Sequence, residues 1–518
     1  MFIRTSSSGA VLAVSLFSTA ISGCAADESQ GRSAVANVGG GSGWNAAASS
    51  GGAGGGGSSA GVHLRSGDCS DVLSPGLTVV DASCGWVTVP EDHRARDGKM
   101  IELAVVALKA TGSEPRKDPI VFLAGGPGES AIDSLGRWNR EVVPRWRETR
   151  DVIFFDQRGT GQGRHSLGCF EYANQFAANL SQNLTRTEDL DNLVAAMKTC
   201  HERLTDRGVD LGAYTSAQSA ADVVDVMSAL GYGSFNLVGV SYGTRVALTV
   251  MRDAPQQVRS VVLDSPQAIA GHILFAKDAE HAFKALFTAC AADAKCGETY
   301  PNLESTLADT VQKLDDNPIQ VGAYFATGTR YLFGVWERMH QWSFASIPRL
   351  IMDVASGKAS PPVGLAGSFA FGMSYSVLCS EEYPFDAATH EADVASVSSP
   401  YTKLDQLDFE TEGVCPFWTK RPADPKEDQD VVSDLPALLL TGSLDTVLPS
   451  YYADQVAERL SKSQTVRLEG LGHVTERPRV GVVDGVECAR EIARAFLDAP
   501  TEAVDTRCLE GIAPIAWE

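Results

Sequence analysis

From Leu77 onward the apolar residues fall into short runs, GLTVVDASCGWVTVP over 76–90 and IELAVVALKA over 101–110, where Val, Leu and Ile alternate or cluster as on a pleated strand. Two further runs, PIVFLAGGPG (119–128) and DVIFFDQRGTG (151–161), are continuously apolar and then break into glycine-bearing loops. Strands without a polar face predict a parallel sheet covered on both sides. The period lengthens to that of a helix in SAQSAADVVDVMSALGYG (216–233), with Val223, Val224, Met227 and Leu230 on one face, Ser216 as the expected cap and Gly231 as the stop. FNLVGVSYGTRVALTVM (235–251) passes from strand to helix at Ser241, and VRSVVLDS (258–265) is a strand again. The β-α-β-α-β order predicts an α/β fold with a doubly wound, mostly parallel sheet.

The pattern changes from 266 to 434. Amphipathic stretches such as AEHAFKALFTACAADA and YPNLESTLADTVQKL predict helices, followed by an aromatic-rich part holding Trp336, Trp342, Phe344 and Trp418 and by the charged run PADPKEDQD. Alternation resumes in LPALLLTGSLD (435–445), the helical YADQVAERL, the strand TVRLEGLGH and the helix VECAREIARAFLD. The expected organisation is therefore a core over 63–265 and 435–518, split by an inserted, mainly helical cap domain over 266–434.

The N-terminus does not fit that core. Residues 1–24 hold one early Arg4, an apolar stretch from Ala10 to Ile21 and small residues up to Cys24, which predicts an export signal. Ile21-Ser22-Gly23-Cys24 resembles the lipobox of bacterial lipoproteins, and that resemblance implies lipidation of Cys24, a membrane anchor, and a place in the cell envelope or at its surface. Residues 25–62 are rich in glycine and serine and predict a flexible linker with a reach of roughly 30–37 Å. The other ten cysteines are even in number and, in an exported chain, predict five disulfides. Local loops favour nearest-neighbour pairing: 69–84, 169–200, 290–296, 379–415 and 488–508.

A net charge of −22 argues against nucleic acid as a partner, because such a surface repels phosphate backbones. Neither a CxxC pair nor HExxH occurs, so the expectation is no metal and no organic cofactor.

The chemistry concentrates in four places. Gly239-Val240-Ser241-Tyr242-Gly243 is a GxSxG sequence between a strand and a helix, the context that lifts a serine hydroxyl above a sheet edge. A serine hydroxyl needs a base, and the base needs an orienting carboxylate. Asp445, after the strand ALLLTG, and His473, after the strand TVRLEG, stand at the carboxyl ends of strands in the order Ser, Asp, His. Gly125-Gly126-Pro127-Gly128 follows another strand, so the amides of Tyr242 and Gly126, with Gly125 as the alternative, are the expected oxyanion donors.

AGGPGES, FFDQRGTGQG, AADVVDVMSALGYGSFNLVGVSYGTRVAL, TGSLDTVLP and GLGHVTERP resemble the α/β-hydrolase serine exopeptidases of the tripeptidyl aminopeptidase and prolyl aminopeptidase group. The resemblance covers most of 77–500. It implies the α/β-hydrolase fold and a cap after LDSP. Ala124 replaces the histidine that usually precedes GGPG in prolyl aminopeptidases, which favours the tripeptidyl side.

An aminopeptidase must hold a free ammonium group, and desolvated carboxylates do so best; Glu381 and Glu382 are the candidates, with Glu129 third. Asp156 and Arg158 of DQRG are expected to hold loops by ion pairing, and the tryptophans to pack the cap. The function expected is an exported serine hydrolase that cleaves short peptides from a free N-terminus through an acyl-enzyme. Its rivals are an esterase or amidase using the same triad, and a non-catalytic surface binding lipoprotein.

Overall fold

The computed structural model describes residues 61–161, 165–270, 275–364, 369–383, 392, 394–419, 421–477 and 484–518, all within one compact unit. Cys24, its lipobox and the linker up to residue 60 lie outside the described residues. Among the described residues no helix is long and apolar enough to cross a membrane.

The strands are β1 (His63–Gly67), β2 (Ala82–Pro90), β3 (Met100–Leu108), β4 (Arg116–Leu123), β5 (Arg150–Phe155), β6 (Phe235–Val240), β7 (Val258–Asp264), the short β8 (Ile319–Val321) and β9 (Tyr324–Ala326), then β10 (Ala437–Gly442) and β11 (Ser463–Leu468). One sheet runs in the order β1-β2-β3-β5-β4-β6-β7-β10-β11, antiparallel from β1 to β5 and parallel from β5 to β11. The fold is that of an α/β hydrolase.

Alternation along buried strands builds two apolar layers. Ile120 and Phe122 of β4, Val152 and Phe154 of β5 and Val238 of β6 face one side, where Phe122 meets Phe154 and Trp138 with ring centres 4.8 Å apart. Val121, Leu123, Ile153, Phe155 and Leu237 face the other, against Val226, Met227 and Val246. Each such side chain stabilises the fold by about 1.5–3 kcal/mol when fully buried.

Two local expectations shift. The 76–90 run is strand only from Ala82: Gly76 and Asp81 both have positive φ, and the chain turns there before it extends. The helix expected to be capped by Ser216 is capped by Thr215, whose side chain accepts from the Gln218 amide, so Ser216 is its first residue. That frees the Ser216 hydroxyl for a contact described below.

Between β7 and β10 the chain runs through helices that include Phe275–Ala292, Leu303–Asp316, Gly328–His340 and Phe371–Val377, and through the β8–β9 hairpin. Phe283, Leu307, Val335 and Ile351 are buried among them. The five disulfides pair Cys69 with Cys84, Cys169 with Cys200, Cys290 with Cys296, Cys379 with Cys415 and Cys488 with Cys508, as the nearest-neighbour order predicts.

Candidate active site

In the sheet β4 lies between β5 and β6, so the chain leaves β4 for one side and crosses to the other. Such a reversal opens a crevice at the carboxyl ends of the two strands. Ser241 stands at the end of β6 with φ 53° and ψ −127°, a sparsely populated conformation for a residue with a side chain. Its amide donates to the Asp264 carbonyl at 3.0 Å, and its carbonyl accepts from the Thr244 amide at 2.8 Å as the helix Tyr242–Asp253 begins. A Cβ on Gly243 would lie 2.1 Å from the Leu123 carbonyl oxygen, and one on Gly239 2.5 Å from that of Gly243. The glycines of GxSxG are thus steric requirements of the turn.

Asp445 lies in the turn after β10 and His473 in the loop after β11. The ring Nδ1 of His473 is 2.9 Å from each Asp445 oxygen. Asp445 Oδ1 also accepts the Val447 and Leu448 amides at 2.9 and 2.8 Å, and Oδ2 accepts the Ser265 hydroxyl at 2.7 Å. Burial alone would raise the Asp445 carboxyl; the His473 ring and these donors outweigh it and hold the group below the usual carboxylate range. Asp264, at the end of β7, accepts the Thr475 and Glu476 amides at 2.8 and 2.9 Å. Burial pushes its carboxyl up to about 6 against those bonds. The end of β7 therefore touches the Ser241 amide, the Asp445 carboxylate and the loop that carries His473.

The Gly125–Gly128 loop is packed against the serine. A Cβ on Gly125 would meet Ser241 Cβ at 3.1 Å and Oγ at 3.5 Å, whereas one on Gly126, at φ 109°, would meet the Gly128 amide. Gly125 is thus the residue against the hydroxyl, and Gly126 forms the bend beside it. The insertion grips this loop: the Ala370 amide donates to Gly128 at 3.0 Å and the Ser374 hydroxyl to the Pro127 carbonyl.

The helix Gly328–His340 of the insertion and Trp342 just after it lie over the turns that carry Asp445 and His473. Trp336 Nε1 donates to the Thr446 carbonyl at 3.1 Å and Trp342 Nε1 to the His473 carbonyl at 3.2 Å. The His340 ring centre is 5.4 Å from that of His473, and its Nδ1 is 3.1 Å from Thr446 Oγ1. Trp336 and Trp342 thus brace the site as well as pack the insertion, while Trp418 is buried and donates to the Ser376 hydroxyl at 3.0 Å. Sequence reasoning did not find His340, which belongs to no motif; its one signal was its place in the aromatic-rich stretch.

Glu381 and Glu382 both sit on Arg245, one turn beyond Ser241. Glu381 Oε2 is 3.0 Å from Arg245 Nε and accepts the Ser216 hydroxyl at 2.7 Å; Glu382 Oε1 accepts from Arg245 Nη1 at 2.7 Å. The Glu381 side chain is fully enclosed and that of Glu382 is 9% exposed. Burial raises the Glu381 carboxyl, with Arg245 and Ser216 opposing. Ser216 also meets the Tyr242 hydroxyl at 2.9 Å, which joins the acidic pair to the residue after Ser241. Glu129 pairs instead with Arg137 at 3.0 Å.

Arg158 and Asp156 both hold loops, but among the described residues only Arg158 does so by an ion pair. Arg158 reaches Asp222 at 2.6 Å and the Glu91 and Ala213 carbonyls, whereas Asp156 accepts the Ser130 hydroxyl at 2.7 Å and the Ile132 amide at 3.1 Å. Burial pushes Asp156 up to about 6. Cys169, Glu171 and Cys200 group as metal ligands would, but both sulfurs are in a disulfide and Glu171 accepts from Arg203.

The α/β hydrolase fold family matches residues 118–289, and a TAP-like protein family matches 405–508. Serine protease Hip1 of Mycobacterium tuberculosis is 29% identical over 255 residues, covering 46% of this chain and 48% of that protein. Tripeptidyl aminopeptidase of Streptomyces lividans is 31% identical over 192 residues, 35% of each chain. Carboxylesterase B of Mycobacterium tuberculosis is 30% identical over 106 residues, 20% of this chain and 19% of that one. The chain thus spans about half the length, or less, of these curated relatives. With family models matching the regions around Ser241 and around Asp445 and His473, and serine peptidases among its relatives, the chain is similar to the serine hydrolases and peptidases of the α/β-hydrolase fold.

Proposed function

We propose that the protein is an exported, lipid-anchored serine exopeptidase that cleaves short peptides from their free N-terminus. Ser241 attacks the scissile carbonyl; His473 takes the hydroxyl proton and returns it to the leaving amine; Asp445 orients His473 and stabilises its charged form. The Tyr242 amide and that of Gly126, or of Gly125 packed against the hydroxyl, hold the oxyanion, and water releases the acyl group. The observation that carries this reading is the buried His473–Asp445 pair, 2.9 Å apart, tied through the end of β7 to the positive-φ turn of Ser241.

Glu381 and Glu382 both pair with Arg245, and Ser216 links Glu381 to Tyr242. An acidic pair beside Tyr242 suits a substrate ammonium, and Glu382, the less enclosed of the two, is the group to receive it. The insertion over 266–434 acts as a cap that limits access to short, unfolded peptides. Cys24 carries the lipid and residues 25–62 the tether.

The test compares peptidyl-7-amido-4-methylcoumarin substrates with free and blocked N-termini, using the full chain and its Ser241→Ala variant. Serine-dependent cleavage of the free substrate alone is the expected result; equal cleavage of both would remove the ammonium site. Release from the membrane fraction by Cys24→Ser is the parallel test of the anchor. A second reading, an esterase with the same triad, is favoured by the match to carboxylesterase B. Turnover of p-nitrophenyl esters without any peptidyl amide cleavage would select it.

A further inference from the structure

Ser265 directly follows β7 with φ +55°, in a region where glycine sits without strain and a residue with a Cβ does not. A side chain kept at such a position points to a task for that side chain. The Ser265 hydroxyl donates to Asp445 Oδ2 at 2.7 Å and accepts the Val474 amide at 2.9 Å. Val474 follows His473 and has φ +63°, so the loop turns sharply just beyond the imidazole. The Ser265 amide is itself anchored on the Leu440 carbonyl at 2.9 Å, and the residue is fully buried. One hydroxyl, held on a rigid strand end, therefore joins the carboxylate that orients the imidazole to the backbone that carries it.

The two Asp445 oxygens are held differently. Oδ1 rests on the Val447 and Leu448 amides of its own turn, whereas Oδ2 meets the Ser265 hydroxyl from a neighbouring strand. Without that hydroxyl the carboxylate keeps only local support against rotation, and a buried amide at Val474 loses its acceptor. We propose that Ser265 is a positioning residue of the triad, setting the rotation of the Asp445 carboxylate and the place of the His473 loop with a single hydroxyl. This rests on the serine-hydrolase reading but not on the choice between peptide and ester substrates.

Ser265→Gly separates positioning from folding, because glycine relaxes the positive φ while removing the hydroxyl. Ser265→Ala removes the hydroxyl and keeps the strain. In the full chain, each variant is expected to slow labelling of Ser241 by a fluorophosphonate, and to lower kcat, by ~10-fold or more, as for loss of a hydrogen bond to a charged group. KM is expected to change by less than about threefold, since the hydroxyl acts on the chemical step. The acid limb of the kcat/KM profile is expected to move to higher pH, because a carboxylate relieved of one donor holds a protonated imidazole more tightly. Both folded variants are expected to unfold below the wild-type temperature, the glycine variant by less than the alanine variant because it relieves the positive φ.

Labelling and kcat within about twofold of wild type in the folded glycine variant would overturn the proposal. So would loss of the fold in both variants, since the hydroxyl would then be needed for stability alone. Wild-type chain that resists labelling would remove the triad reading and this inference with it. Labelling without peptide cleavage, slowed by Ser265→Gly, would overturn only the peptidase reading.

Discussion

Asp445 and Glu381 are both enclosed carboxylates in the neighbourhood of Ser241, one on a turn of the sheet and one on the insertion, and the protein treats them in opposite ways. Burial raises both. At Asp445 the His473 ring, the Leu448 amide and the Ser265 hydroxyl outweigh burial and the group ends below its ordinary range. At Glu381 the opposing Arg245 is shared with Glu382, burial prevails and the group ends above it. The difference lies in how many donors each carboxylate has and in who else uses them. Asp445 draws two amides from its own turn, two and three residues on. The acidic pair depends on an arginine 137 residues away in sequence, so it exists only where insertion and core meet.

The largest effect should come from the sheet side. Ser241→Ala is expected to lower kcat by roughly 10⁶-fold and to abolish fluorophosphonate labelling without a change in unfolding temperature, measured on whichever amide or ester the wild type turns over. Asp445→Asn keeps the volume but alters the hydrogen bond to His473, and should lower kcat by about 10⁴-fold. A loss for Glu381→Gln as large as that for Asp445→Asn would break the contrast between the two regions.

Asp278 tests the joint between them. It lies on the first helix of the insertion and accepts the hydroxyls of Tyr451 and, at 3.1 Å, Tyr452, just beyond the Asp445 turn; burial pushes its carboxyl up to about 7. The folded chain therefore keeps a proton that the unfolded chain releases near the usual carboxylate range. The associated stability is fully present below about pH 4, declines as pH rises through about 7, and is absent above. Urea unfolding of wild type and Asp278→Asn between pH 4 and 9 should differ in slope across that window, with an amplitude of at most about 4 kcal/mol.

The smallest expected effect belongs to the Glu381–Glu382 pair. Glu382→Gln should raise KM for a free N-terminal peptide by ~10- to 100-fold, the worth of one charge-assisted contact, with a smaller change for a blocked substrate. Equal changes for both substrates would mean that the pair only braces Arg245.

Much of this molecule was legible in its sequence, for reasons that are local. Continuous apolar runs with glycine after them marked β4, β5, β6 and β10, because a strand buried on both faces has no polar positions to hide. GxSxG marked the turn at Ser241, because only glycine fits within 2.5 Å of the crossing carbonyl oxygens at 239 and 243. Other features depend on partners distant along the chain. Ser216 read as a helix cap, but Thr215 takes that place and Ser216 serves Glu381. Asp156 and Arg158, two residues apart, hold different loops because their side chains meet different elements.

The sequence by itself determined the strands β2 to β7, β10 and β11, though not β1 or the β8–β9 hairpin, the order in which serine, aspartate and histidine follow them, and the break in pattern that sets the insertion apart. Periodicity and turn chemistry are properties of neighbours in the chain. Only the tertiary structure decided that Ser265 ties Asp445 to the His473 loop, that His340 lies against His473, and that Glu381 and Glu382 share Arg245. Each of these is a contact between groups far apart in sequence, whose strength depends on distance, burial and shared donors that no residue carries alone.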